Sequence, residues 1–278
     1  MLRNRQQIFL RLGIYGALLV FSAAALFPLY FAGVTSFKTK AEYLDNQLAP
    51  AKQATLDNYE YSLTLAKLPV FLKNNAIVVP AALLFYLFVC SAAGFAFGSL
   101  RFAWRLPTFL IVLFLMIFPQ MVLGIQIYRI VAQLGLVNSH LGVVIVWVAY
   151  FAPFGTYIMT TFFSGVPREI LESARMEGAR ILRILWSVMI PIGAPMMATI
   201  SIIGFNAMWN ELPFSLLLLQ TRELRTFIQG IAMMQGEYGL STPILASALI
   251  LAAIIPLLVF LFFQRYIRLG AHAGSVKG

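Results

Sequence analysis

Charge is what this sequence has least of. Of its 278 residues only 11% are Asp, Glu, Lys or Arg, while 61% are hydrophobic. A water-soluble domain of this length has too much surface to hide so apolar a composition. Cysteine occurs once, at Cys90, which excludes a disulfide within the chain and any paired-cysteine metal or redox centre. There is no H-E-x-x-H and no G-x-S-x-G, and the two histidines, His140 and His272, stand far apart in the sequence. Neither a metal site nor a catalytic residue is therefore expected. The sequence also lacks G-x-x-x-x-G-K-[ST], so it has no phosphate-cradling P-loop of its own.

What the chain does have is long uncharged runs. Residues 12–34, 76–100, 106–128, 141–163, 188–210 and 243–263 contain no Asp, Glu, Lys, Arg or His. Each reaches the roughly 20 residues that a helix needs to cross a bilayer core of about 30 Å. In hydrocarbon the backbone must satisfy its own hydrogen bonds, so these runs are expected to be helices. The fold class that follows is an all-α membrane protein, a polytopic bundle of six transmembrane helices forming one domain over residues 1–278.

The basic residues orient the bundle. With the N-terminus inside, the N-terminal arm, residues 101–105, residues 164–187 and the tail 264–278 hold twelve cations against Glu169, Glu172 and Glu177, a net charge of +9. The outer segments hold the remaining eight cations and seven carboxylates, a net charge of +1. Both termini are therefore expected in the cytoplasm. The overall charge of +10 reads as a topology signal, with membrane lipid and not nucleic acid as the partner. The first run exceeds the ~7–15 apolar residues of a signal-peptide core, so it is read as a retained helix.

Inside the spans the punctuation is informative. Pro119 must kink or interrupt the third. Pro191, Gly193, Pro195 and Gly204 crowd the fifth, which suits either a path through the protein or close packing through small residues. Arg129 reads as a snorkelling side chain, Cys90 as a small packing residue. The outer segment 35–73 has the apolar spacing of a short surface helix before the second span. No Asp, Glu, Lys, Arg or His lies in any span core, and Glu211 comes only at the outer end of the fifth. Pumps driven by protons or ions use such groups, so energy for uphill movement would have to enter from another subunit.

One charged island breaks the apolar pattern. "PREILESARMEGARILRILWSVMIP", residues 167–191, holds four arginines and three glutamates. Pro167 suits the first position of a helix, with Ile170, Leu171 and Ala174 on one face and Arg168, Glu169, Glu172 and Arg175 on the other. Gly178 breaks that helix. A second follows, with Ile181, Leu182, Leu185 and Val188 on its apolar face and Arg180 and Arg183 outward. The element suits either a solvated amphipathic loop or a plug for a groove on a partner protein.

The island resembles a signature of binding-protein-dependent ABC importer permeases: E-A-A, three residues, G, nine residues, I-x-L-P. Here it reads Glu172-Ser173-Ala174, Gly178, then Val188-Met189-Ile190-Pro191, with Ser173, Val188 and Ile190 as the departures. "LGLVNSHLG" (134–142), "FNAMWNELPFSLLLLQTRELRTFIQGIAMMQGEYG" (205–239) and "FFQRYIRLGAHAGSVKG" (262–278) extend the resemblance to the carbohydrate-uptake class, in particular to the second, six-span permease of maltose-type transporters. It covers most of the chain from residue 70 onward.

The resemblance implies a cytoplasmic coupling-helix loop, 164–187, between spans 4 and 5, docking into a cleft of an ATPase subunit. Glu172 would be the anionic contact, Ser173 and Ala174 the small docking surface, Gly178 the bend, and Val188, Ile190 and Pro191 the entry into the fifth span. The tail residues Gly274, Val276, Lys277 and Gly278 would touch the ATPases. Gln235, Gly236, Glu237 and Tyr238 would sit on an outer loop reaching the binding protein. Asn206, Trp209, Asn210 and Glu211 are candidates for the substrate path, with Trp209 equally suited to an interfacial anchor and Asn206 to an interhelical hydrogen bond.

The implied partners are a homologous second permease, two ABC ATPase subunits and an extracytoplasmic solute-binding protein, in a bacterial or archaeal inner membrane. ATP and Mg would belong to the ATPases, with no cofactor in this chain. A sugar or sugar-like solute would be imported by alternating access. The rival readings are a self-contained carrier or channel and a membrane-embedded enzyme. The first would want ionisable groups at mid-membrane and the second a cluster of catalytic groups.

Overall fold

Helices follow the apolar runs closely, for the reason that predicted them: only helices close their hydrogen bonds without water. The computed structural model describes the backbone of residues 2–238 and 241–275, and side chains for 11–234, 236 and 241–263. Thirteen α-helices occur among the described residues. The first six are α1 (Leu2–Ser36), α2 (Lys40–Asp45), α3 (Asp57–Leu63), α4 (Leu68–Ser99), α5 (Arg105–Phe114) and α6 (Gln120–Gln133). Then come α7 (His140–Ser164), α8 (Arg168–Met176), α9 (Ile181–Ile184), α10 (Ile190–Trp209), α11 (Pro213–Leu218), α12 (Phe227–Tyr238) and α13 (Thr242–Ser275). No strand occurs among the described residues.

Among the described residues, five stretches are long and apolar enough to cross a membrane: Arg11–Ser36, Leu68–Ser99, His140–Ser164, Ile181–Trp209 and Thr242–Phe263. The third expected span departs from a simple rod. Arg105–Ile117 and Gln120–Gln133 meet at a bend of 109°, and the pair together would make the sixth crossing. Pro119 explains the corner. It cannot donate a helical hydrogen bond, and its ring disfavours helical backbone at the preceding residue. Phe118 is extended accordingly (φ −78°, ψ 120°), as is Pro119 (ψ 144°). Each arm is only about 20 Å long at 1.5 Å per residue.

The chain divides into two compact units, Met1–Leu68 with Ile231–Ala253, and Pro69–Gly230 with Ile254–Gly278. In the first, the apolar window of α1 is wholly unburied, as suits a helix facing lipid or another subunit. The segment after it has a polar core. Lys38 is fully buried and its Nζ donates to the carbonyls of Asn46 (2.9 Å) and Gln47 (3.0 Å). Asn58 Nδ2 donates to the carbonyls of Ser36 and Lys38, both at 2.8 Å. The hydroxyls of Ser62 and Ser247 bond each other at 2.9 Å, joining α3 to α13. Buried polar groups are tolerable when so paired. The short helix expected before the second span is α3.

The second unit is built around α4, α7 and α10. Apolar side chains gain little by leaving lipid, so such helices associate through van der Waals contact at small residues. Gly94 and Gly98 of α4 lie against Met159, Thr160 and Phe163 of α7, and Gly155 of α7 receives Tyr86 and Cys90. A Cβ on Gly193 or Gly204 would come within 2.9 Å of Phe163 or Tyr86. The glycines of the fifth span are thus packing glycines. Trp147, Met159, Cys90, Ile200 and Met208 are fully buried in this core.

Candidate coupling loop and translocation path

The charged island forms a short helix with defined ends. Pro167 precedes α8 in extended backbone (φ −55°, ψ 135°) instead of occupying its first turn. At the other end Gly178 has φ +79°, a region that costs a residue with a Cβ about 1–2 kcal/mol. Its N–H donates to the Arg175 carbonyl (2.9 Å) and the Ala179 N–H to the Ala174 carbonyl (3.0 Å). This is a Schellman cap, which turns the chain sharply while satisfying the last carbonyls. The expected bend at Gly178 is there.

The faces of α8 differ in part from expectation. Leu171 is buried, Ala174 half-buried, and Ile170 exposed. Arg168, Leu171, Glu172 and Arg175 together line one cavity, following the i, i+3, i+4, i+7 stripe of a helix. Ile170, Ser173 and Glu177 fall on the opposite side and are exposed. A similar shift occurs after the bend: Ile181 and Leu182 are exposed, while Ile184, Leu185 and Met189 are buried. The apolar pattern admitted either register, and the turn geometry at Gly178 selected this one.

From α9 the helix continues into the fifth span without a break, through a π-turn at Leu185–Met189 and then α10. Pro191 supplies the cause, since it has no N–H for the carbonyl one turn earlier and its ring crowds that carbonyl. Val188 and Ile190 are half-buried there, and Pro191 itself is exposed. Trp186, in the π-turn, stacks on Phe88 of α4 with centroids 6.1 Å apart. α8 is thus joined to α10 through the Gly178 turn and about two turns of helix.

At the far end of α10 the four candidate path residues separate into two pairs. Asn206 and Asn210 are exposed, and Asn210 Nδ2 donates to the Asn206 carbonyl (2.9 Å) and Oδ1 (3.0 Å). Trp209 is buried between Phe205 and Phe227, at centroid distances of 5.5 and 6.0 Å. Its Nε1 has no hydrogen-bond partner among the described residues. Glu211 is 4% exposed and meets four donors. Its Oε2 accepts from Trp147 Nε1 (2.8 Å), Ser215 N (3.1 Å) and Ser215 Oγ (2.8 Å), and its Oε1 from Phe214 N (2.7 Å). Glu211 thus caps α11 and fastens it to α7, a structural assignment that the sequence pattern did not reveal.

Sequence reading also missed a clamp on the segment after α11. Asn138 (φ +55°) accepts the Gln220 N–H at 2.6 Å and the Thr221 N–H at 2.9 Å on its Oδ1. Asn74 Nδ2 donates to the carbonyls of Glu223 and Arg225, and Asn75 Oδ1 accepts the Phe227 N–H. His140 Nε2 lies 3.0 Å from the Leu224 carbonyl. The polar pairs Asn74–Asn75 and Asn138–Ser139, each standing before an apolar run, were the available signal.

The segment expected outside continues as helix α12 (Phe227–Tyr238), so residues 235–238 lie in its final turn and not on an irregular loop. Phe227, Ile231 and Met234 are buried at helical spacing. Gly236 is exposed. The side chains of Gln235, Glu237 and Tyr238 lie outside the described residues. So do Val276, Lys277 and Gly278, and the surroundings of Gly274.

Residues 90–270, which include the island, the fifth span and the Glu211 cap, match the family of binding-protein-dependent transport system inner membrane components. The chain belongs to this family. It is 32% identical over 271 residues to the trehalose/maltose transport system permease protein MalG of Thermococcus litoralis, covering 95% of this chain and 96% of that one. The melibiose/raffinose/stachyose import permease protein MelC of Bacillus subtilis is 27% identical, with 93% and 94% covered. A chain from the crystal structure of a bacterial ABC transporter involved in import of the acidic polysaccharide alginate shares the fold. Its TM-score is 0.77 at 24% identity, over 94% of the permease and 97% of that chain. The permease is thus a multi-pass membrane component of an ABC importer, with the expected all-α architecture.

Proposed function

We propose that this permease forms half of a translocation path for a sugar or sugar-like solute and takes its driving force from ATPase subunits through α8. The observation that carries the proposal is mechanical. An exposed amphipathic helix ends in a Gly178 cap and leads directly into the fifth span. The sugar class rests on the named relatives, which carry trehalose, maltose, melibiose, raffinose or stachyose.

Two ATPase subunits, which bring ATP and Mg, a second permease and an extracytoplasmic binding protein complete the assembly. Closure of the ATPases on ATP pushes α8, and α9 and α10 carry the movement to the outer end of the bundle. There Asn206 and Asn210 present amide groups suited to hydroxyls, while the buried Trp209 and Glu211 hold the wall behind them. Residues 235–238 meet the binding protein, and the tail 274–278 the ATPases. Ser173 and Ala174 supply the small docking surface, and Glu172, exposed at the mouth of its cavity, the anionic contact. Both termini and α8 face the cytoplasm.

Purification from native membranes in mild detergent tests this reading. A P-loop ATPase and a second permease should co-purify, and Glu172→Lys should shed the ATPase while still inserting in the membrane. A preparation of this chain alone that transports solute in ATP-free vesicles would overturn it.

A further inference from the structure

Beneath α8 lies a basic cavity that shares only Glu172 with the proposed coupling role. α4 ends at Ser99 and α7 at Ser164, and Ser99 Oγ donates to the Phe163 carbonyl at 3.3 Å. Both helices are membrane spans, so their joined ends mark a membrane boundary. At that level a cavity of about 170 Å³ is lined by Ser99, Arg101, Arg168, Leu171, Glu172 and Arg175. Three guanidiniums and one carboxylate leave an excess of two positive charges. Among the described residues, none of the three comes within 4.0 Å of a carboxylate oxygen. The neighbouring Arg105, by contrast, is occupied by the Phe97 carbonyl at 2.6 Å.

Two features point to the occupant. The cavity takes the face of α8 that carries the buried Leu171, opposite the exposed stripe of Ile170, Ser173 and Glu177, so it lies between the helix and the turn that follows α4. Beside Arg101, Trp104 is 71% exposed and Phe102 43%, as expected of aromatic rings at headgroup depth. Basic pockets at the ends of spans attract anionic headgroups, and arginine is suited to phosphate through paired, charge-assisted hydrogen bonds.

We propose that this cavity seats the phosphate of an anionic membrane lipid. By bridging Arg101 of the α4–α5 turn to Arg168 and Arg175 of α8, the phosphate fixes the tilt of the coupling helix. It also offsets the excess positive charge beside Glu172, the carboxylate assigned to the ATPase. The proposal rests on the reading of α8 as the ATPase dock.

The test uses the whole complex reconstituted in nanodiscs, in phosphatidylcholine alone or mixed with phosphatidylglycerol, at constant ionic strength. Native mass spectrometry reads retained lipid, and ATP hydrolysis is measured with and without binding protein. The wild type should retain phosphatidylglycerol and couple more tightly with it. Arg101→Gln and Arg175→Gln should each weaken lipid retention about five-fold, and the double variant should lose the lipid response. Arg129→Gln, outside both the cavity and the coupling loop, should keep it.

An undiminished response in the double variant would overturn the proposal. So would equal stimulation by inorganic phosphate in pure phosphatidylcholine, which would make the ligand a soluble anion. Loss of the ATPase from the double variant in pure phosphatidylcholine would also overturn it, assigning the cavity to an acidic side chain of that subunit. Recovery of the ATPase with the wild type in neutral lipid separates these outcomes from failure of the coupling reading itself.

Discussion

Glu211 shows how a single side chain can look like a solute ligand and be an architectural one. In the sequence it is the acid that directly follows the uncharged run of the fifth span, which invites a functional reading. Both of its oxygens are already engaged by Trp147, Phe214 and Ser215. Removing an acceptor from buried donors costs about 1–3 kcal/mol for each donor left unsatisfied. Glu211→Ala should therefore lose at least about 3 kcal/mol of stability, read as a lower thermal midpoint in detergent and as faster proteolysis. Glu211→Gln keeps one acceptor oxygen and should lose less. If Glu211→Ala were as stable as the wild type and defective only in transport, the carboxylate would belong to the path after all. Its partner Trp147 stands 64 residues away, and no local pattern links the two. The Asn138 and Asn74 clamps span still more of the chain, 82 and 149 residues, which is why they too escaped the sequence.

Elements were legible where periodicity or a breaker governed them, and less so where two registers were equally apolar. The uncharged runs located the spans, although α4 begins at Leu68 because Leu68 and Phe71 are buried ahead of the exposed Lys73. Pro119 announced an interruption, but the 109° bend depended on two consecutive extended residues. The faces of α8 and α9 were set by the cap at Gly178, whose positive φ no hydrophobic pattern encodes.

That cap makes its own prediction. A β-branched residue at φ +79° is strained by more than the ~1–2 kcal/mol of a simple Cβ, and the cheapest relief is to re-aim α8. Gly178→Val should thus insert and fold, retain ATPase activity, and import several-fold less solute per ATP hydrolysed. Gly178→Asn, which tolerates left-handed backbone, should recover much of the coupling. Equal loss in both variants would mean that the turn needs the absence of a side chain, such as space for the docked subunit, and not the backbone angle. Packing glycines respond differently. Gly155→Leu would drive a side chain into Tyr86 and Cys90 and should abolish accumulation of folded protein.

At the scale of the whole molecule, the charge asymmetry and the coupling role make one joint demand: α8 must face the cytoplasm and the segment 35–73 the outside. Cys90 is the single cysteine and is fully buried between helices, so the native chain should be silent to a membrane-impermeant maleimide. Ser173 and Gln53 are both exposed, and each can carry the only accessible thiol. Gln53→Cys should label in right-side-out vesicles and Ser173→Cys only in inverted ones. In inverted vesicles holding the complete complex, the docked ATPase should shield Ser173→Cys, and stripping that subunit should expose it. The reverse sidedness would overturn the orientation argued from +9 against +1, and with it the direction of transport. Correct sidedness without shielding would keep the topology but remove Ser173 from the ATPase contact, leaving the Glu172 side of α8 as the docking surface. The same two thiols thus distinguish how the chain lies in the membrane from what the membrane leaves free to bind.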